Sequence, residues 1–237
     1  MSGTRKIIAI LLAAAMIVTL VALSLIILKA DTAPLLLRLT GHNETNRIAT
    51  YQAITLALVA LMLVVTRGLI PGDFRRYFRF GDLSAPSRPV RLLGIQEGDS
   101  WKRVGTTFAV IITLVTAGVV YAGEVRGTPV SLRLATVLST LVFAASNTFV
   151  EEMVTRFQVV AALTGMLSPS HIALTSGLLF GLPHYVGTPG GIPGVLLAGF
   201  LGWLLAKSVV ETEGMGWAWL IHFLQDVVIY LALLSTI

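Results

Sequence analysis

Followed for hydrophobic and polar positions alone, the chain is a series of long apolar runs separated by shorter polar connections. Residues 7–28 hold no charge and follow Arg5 and Lys6. The next runs are 48–65 and 104–122, and a fourth helical stretch begins near Arg133 and continues, interrupted by charges, to about Leu167. Residues 172–186, 195–210 and 217–237 complete the series. About 20 apolar residues in a helix match the hydrocarbon thickness of a bilayer. Inside that layer every backbone N–H and C=O must be bonded within its own segment, which favours helices. The pattern predicts an all-α polytopic transmembrane helix bundle of about seven spans, within bounds of six and eight. The first run exceeds the ~7–15 apolar residues of a cleaved signal peptide and reads as a signal anchor or first span.

Composition narrows the class. Hydrophobic residues make up 55% of the chain, charged residues 12%, and the mean hydropathy is +0.85. A soluble domain carries about 25% charged residues, so there is too little polar surface to coat a globule in water. A chain this apolar is not disordered. With no cysteine, a disulfide scaffold, a thiolate nucleophile and a Cys-ligated metal are excluded. No internal repeat or low-complexity tail divides residues 1–237, which read as one membrane domain.

The basic residues predict orientation. Arg5, Lys6, Arg67, Arg75, Arg76, Arg79, Arg88, Arg91, Lys102, Arg103 and Lys207 fall on one side; Lys29, Arg38, Arg47, Arg126 and Arg133 fall on the other. Lys and Arg accumulate in cytoplasmic loops, which places the N-terminus in the cytoplasm and the C-terminus outside. The long connection 67–103 is then a basic cytoplasmic loop. Its cluster Phe74-Arg75-Arg76-Tyr77-Phe78-Arg79-Phe80 suits a headgroup interface or a plain solvated loop. Membrane lipids, and not nucleic acid, are the expected partner there.

Charges inside the apolar runs each need a reason, because burying one in a bilayer costs a few kcal/mol. Three clusters stand out: Glu151-Glu152 with Arg156, Phe180 with His184, and His222 with Asp226. Glu152 and Arg156 are four apart on a helix and share a face, so they can pair. Glu151 points about 100° away, with no obvious partner on its own helix. His222 and Asp226 have the same four-residue spacing, which lets the carboxylate accept from the imidazole and fix its tautomer. Pro183 disturbs the helix before His184. Taken singly, each cluster has a bland reading: a Glu–Arg pair as glue between helices, a membrane histidine as a packing residue. His42 and His171 lie in connections and are assigned no role.

The ordered set Glu-Glu-x-x-x-Arg, Phe-x-x-x-His and His-x-x-x-Asp, over residues 143–230, resembles the CPBP intramembrane proteases. That family includes the type II CAAX prenyl endopeptidases, bacteriocin-processing and immunity proteins, and abortive-infection proteins. The resemblance implies an intramembrane endopeptidase of a prokaryotic plasma membrane, acting near the cytoplasmic face on a membrane-associated peptide or protein. A prenylated Cys-a-a-X substrate is one option. By analogy Glu151 is the general base, helped by His184; Glu152 and Arg156 hold the site together; Phe180 walls the pocket. His222 and the residue at 226 stabilise the oxyanion. Asp stands at 226 where several prenyl endopeptidases have Asn, and an ionised Asp repels an oxyanion. Asp226 is therefore protonated, or orients His222, or belongs to a metal site.

The family is also described as metalloproteases, and Glu151, His184 and His222 are the zinc ligands available to it here. No His-Glu-x-x-His is present, so a metal-free mechanism is the expectation and zinc the alternative. For Glu151 and His184 to meet at one depth, the fourth helix must be long and tilted, with 133–142 partly outside the hydrocarbon. The site is then expected in a cavity opening to the cytoplasm. A proton-coupled transporter and a non-catalytic membrane partner protein are the competing functions.

Overall fold

The computed structural model describes residues 3–29, 35–187 and 190–236. The apolar runs are helices. α1 (Gly3–Leu23) continues through a π-turn, Ser24–Leu28, and α2 spans Asn43–Leu69. A short α3 (Pro71–Tyr77) follows, then α4 (Trp101–Val120) with a π-turn at Tyr121–Val125. α5 (Leu134–Glu152), a π-turn at Met153–Phe157 and α6 (Gln158–Leu163) are continuous. α7 (Pro169–Gly181) runs into a 3₁₀ turn, Leu182–Val186, and α8 (Gly191–Thr212) and α9 (Gly216–Ser235) close the chain.

Among the described residues, six helices are long and apolar enough to cross a membrane: Gly3–Leu28, Asn43–Leu69, Trp101–Gly123, Leu134–Leu163, Gly191–Thr212 and Gly216–Ser235. The protein is an integral membrane protein. The run at 172–186 is not among the six, because Pro183 lacks an N–H and α-helix stops at Gly181. It still traverses the bundle. The 13 residues of α7 rise about 20 Å and the five of the 3₁₀ turn about 10 Å more. At its end the Val186 carbonyl accepts from Lys29 Nζ at 2.5 Å, just beyond the first span. Among the described residues the chain therefore runs through the bundle on six long helices and, once more, on α7 with its 3₁₀ turn.

Contacts at the two ends fix the direction of each pass. At one end Lys6 pairs with Asp73 at 3.0 Å and also donates to the Thr164 carbonyl. Arg76 and Arg79 bind Glu213 at 2.5 and 3.0 Å in the turn between α8 and α9. At the opposite end Ser131 N–H donates to the Ser235 carbonyl at 2.8 Å. The fourth helix is long as expected: 30 residues rise about 45 Å, beyond a hydrocarbon core of ~30 Å. It ends at Leu163 and not near Leu167, because Gly165 turns the chain at φ +75°.

The basic connection departs from the solvated or interfacial loop expected for it. α2 extends through Leu69, and α3 places Phe74, Tyr77 and Phe78 on one face. Phe74 and Tyr77 are buried, and the Phe74 and Phe78 rings meet Phe157 edge-on at 5.1 and 5.5 Å. Of the four rings in the cluster Phe80 is the most exposed. Farther along, the Glu211 carboxylate takes Lys207 Nζ at 2.6 Å and Trp101 Nε1 at 2.8 Å, docking the loop on α8.

Close packing of α7 on α8 depends on glycine. A Cβ at Gly177 would lie 2.8 Å from the Gly199 carbonyl oxygen, and one at Gly181 2.7 Å from that of Val195. A Cβ at Gly202 would lie 3.0 Å from that of Phe180. Small residues allow such backbone approach between membrane helices, and here they set the position of Phe180.

Candidate active site

Glu151 and Glu152 end α5, and Arg156 lies in the π-turn that follows. π-turns inside α-helices are rare and frequent at functional sites. This one leaves the Thr155 carbonyl free to accept from Ser176 Oγ of α7 at 2.6 Å, joining the two helices. Glu151 stands twelve residues before Leu163, about 18 Å from that end of the helix. It is deep in the bundle.

The two adjacent acids have opposite surroundings. Glu152 and Arg156 are fully buried, and Arg156 Nη2 lies 3.0 Å from Glu152 Oε1. That distance makes an ion pair, but the N–H does not point along it. Arg156 Nε and Nη2 and Glu152 Oε2 have no hydrogen bond within the protein. The contact is Coulombic. The guanidinium also covers the Phe180 ring, 3.8 Å from its centroid. Glu151, by contrast, keeps 26% of its side chain accessible. It is not without a partner on its own helix, as its spacing from Arg156 suggested: Asn147 Nδ2, one turn earlier, donates to Glu151 Oε1 at 3.3 Å.

His222 joins α9 to both acids. Its Nδ1–H donates to Glu152 Oε1 at 2.7 Å, while Nε2 lies 3.5 Å from Glu151 Oε2 and 3.7 Å from Asp226 Oδ1. The expected His222–Asp226 hydrogen bond is therefore corrected. Glu152 orients the ring, because its buried carboxylate reaches Nδ1 across the interface. Asp226 is hydrogen-bonded to α5 instead, its Oδ2 accepting from Thr148 Oγ1 at 2.7 Å and Asn147 Nδ2 at 3.2 Å.

Phe180 is the hinge between the remaining groups. Its ring centroid is 4.6 Å from that of His184 and 5.6 Å from that of His222. His184 Nδ1 lies 2.8 Å from the Phe180 carbonyl oxygen. A carbonyl only accepts, so the proton is on Nδ1 and the neutral ring offers Nε2 as an acceptor. All seven residues singled out in the sequence thus gather where α5, the π-turn, α7 and α9 meet.

Zinc held by Glu151, His184 and His222 is the alternative that the resemblance implies. Among the described residues no group of three or more His, Asp or Glu side chains is placed to hold a metal ion. His222 directs Nδ1 to Glu152, and His184 stands one aromatic ring away from His222. The set Glu151, His184 and His222 does not fit a metal ion in this arrangement. Nor do the motif residues line the cavity at the basic end, about 330 Å³ bounded by Arg76, Tyr77, Arg88, Thr164, Glu211 and Glu213. The cytoplasmic opening expected for the site is not that cavity.

Residues 133–228, which carry this whole constellation, match the family described as type II CAAX prenyl endopeptidase Rce1-like. The segment that matches is the one bearing the motifs. It is about two-fifths of the chain, from the start of α5 almost to the end of α9. The match agrees with the family resemblance carried by the three motifs. No curated protein and no solved structure matches the chain.

Two residues of the Rce1-like segment escape a motif reading, Asn147 and Thr148, both bonded to Asp226. Asn147 had a signal, since it lies four residues before Glu151 on the same helical face. Thr148 had none, as a threonine in an apolar helix usually bonds its own backbone.

Proposed function

We propose that this chain is an intramembrane endopeptidase that hydrolyses a peptide bond near the cytoplasmic face, in a prenylated Cys-a-a-X type of substrate. The observation that carries this reading is the contrast between adjacent acids. Glu152 is sealed against Arg156 and His222, while Glu151 is accessible with Oε2 facing His222 Nε2 at 3.5 Å.

Glu151 takes a proton from a water molecule whose second proton is accepted as a hydrogen bond by His184 Nε2. The water oxygen forms a bond to the scissile carbonyl carbon, and the carbonyl oxygen becomes an oxyanion. His222 has given Nδ1–H to Glu152, so it donates to the oxyanion from Nε2 as the imidazolium. Glu151, Glu152 and Asp226 surround that cation, which together with Arg156 offsets two of their three charges. Asp226 stays clear of the oxyanion because Thr148 and Asn147 hold its Oδ2. The C–N bond then breaks, Glu151 returns its proton to the leaving nitrogen, and an acid and an amine are released. General-base catalysis of this kind contributes ~10²–10⁴-fold.

The test is Glu151→Gln in the full-length chain, purified in detergent and assayed on a quenched fluorescent peptide with a farnesylated Cys-a-a-X end. Cleavage should fall at least ~10²-fold, with elution and membrane insertion unchanged. Activity within tenfold of wild type would remove Glu151 as base. The same assay should be indifferent to EDTA; loss with chelator and return with zinc would overturn the metal-free route.

A further inference from the structure

Asn147 is a neutral amide that touches two carboxylates of the site. Its Nδ2 lies 3.3 Å from Glu151 Oε1 and 3.2 Å from Asp226 Oδ2. An amide nitrogen carries two N–H donors and no charge, so a single group can serve both acceptors. The two acids belong to different helices, α5 and α9. They face each other across His222, whose Nε2 is 3.5 Å from Glu151 Oε2 and 3.7 Å from Asp226 Oδ1.

Resting on the endopeptidase reading above, we infer that Asn147 is the positioning residue of the general base, a bridge that ties Glu151 to Asp226. By holding Oε1, it directs Oε2 of Glu151 toward His222 and the reacting water. By holding Oδ2 of Asp226 together with Thr148 Oγ1, it keeps that carboxylate from the oxyanion. No residue type other than a side-chain amide does both without a net charge. Aspartate here would put a third carboxylate against two others. Alanine would leave Glu151 Oε1 without its donor and free the side chain to turn. An amide is thus present in the site although position 226 is an acid. It comes from α5.

The experiment compares Asn147→Ala, Asn147→Asp and the exchange variant Asn147→Asp/Asp226→Asn with wild type and Glu151→Gln. All are full-length proteins, checked by monodisperse elution and thermal unfolding and assayed on the farnesylated peptide. Asn147→Ala should lower kcat by roughly 10–100-fold, the scale expected when a reacting group is misplaced, with KM within about twofold. Asn147→Asp, nearly isosteric, should lose more and carries the test if the alanine variant does not fold. The exchange variant restores one amide between two acids and should recover at least about tenfold in kcat over Asn147→Asp. A merely structural asparagine would change Tm and leave the activity of the folded fraction alone. Wild-type kcat in Asn147→Ala or Asn147→Asp, with Glu151→Gln inactive, overturns the bridge and leaves the endopeptidase reading standing. So does an exchange variant no better than Asn147→Asp. Cleavage by Glu151→Gln at the wild-type rate, or none by wild type, overturns that reading and the bridge with it.

Discussion

Glu152 is the residue on which the motifs converge. It bonds His222 of α9 and pairs with Arg156 one turn ahead, all within a fully buried environment. Such a charge is tolerated only while its partners remain. Removing one member of a buried pair leaves the other uncompensated and costs roughly 3–5 kcal/mol. Glu152→Ala and Arg156→Ala should each lower the unfolding temperature markedly in detergent. The double variant should be less damaged than the two losses added, by a coupling of roughly 0.5–3 kcal/mol. Strict additivity in that thermal cycle would show that the pair does not interact in the folded protein. Glu152→Ala should in addition abolish cleavage, because His222 loses the acceptor that fixes its ring.

At the level of elements, the site depends on how closely α7 lies on α8. Phe180 and His184 are carried on α7 and the 3₁₀ turn that follows it, and their distance from α5 is set by the glycine contacts. A branched side chain at Gly181 would meet the Val195 carbonyl and the Gly199 backbone within 3.0 Å. Backbone cannot yield as a flexible side chain does, so the helices must part. Gly181→Val should cost about 1–3 kcal/mol of stability, the range for overpacking, and should remove most of the activity by displacing Phe180. Gly118→Ala, where a Cβ meets nothing within 4 Å, is the control and should leave both unchanged. Equal activity in the two variants would mean that α7 does not position the catalytic groups. The π-turn acts at the same scale: it joins α5 to α7 through Thr155 and Ser176, and no hydropathy pattern distinguishes it from α-helix.

Across the whole molecule, the described helices carry Lys6 and Ser235 to opposite ends of the bundle. The N-terminal Lys6, α3 and the turn at Glu213 share one face. Ser131 and Ser235 share the other, about 30 Å away along the 20 residues of α9. Eleven Lys and Arg residues belong to the first face and five to the second, so the first face should be cytoplasmic. The chain has no cysteine, and a single introduced thiol therefore reports its own side. In intact cells a membrane-impermeant maleimide should label Val130→Cys directly, and Ser84→Cys only after permeabilisation. The reverse pattern would invert the bundle.

Transfer into a bilayer is decided residue by residue and summed over a segment, so the spans were legible in the sequence. The same local reasoning reaches the Glu152–Arg156 pair, since spacing along one helix requires no knowledge of its neighbours. Contacts between helices depend on axial register and rotation, which local pattern does not contain. His222 could have met Asp226 four residues away, yet it bonds Glu152, seventy residues earlier. Asn147 could have been packing, yet it spans two acids. Two rings of the aromatic cluster that suited a lipid surface, Phe74 and Phe78, meet Phe157 of the π-turn instead. In each case several partners were compatible with the spacing. The close approach of α7 to α8 and the α5–α9 interface selected among them, because a buried polar or aromatic group goes where the packed backbone brings the best partner within reach.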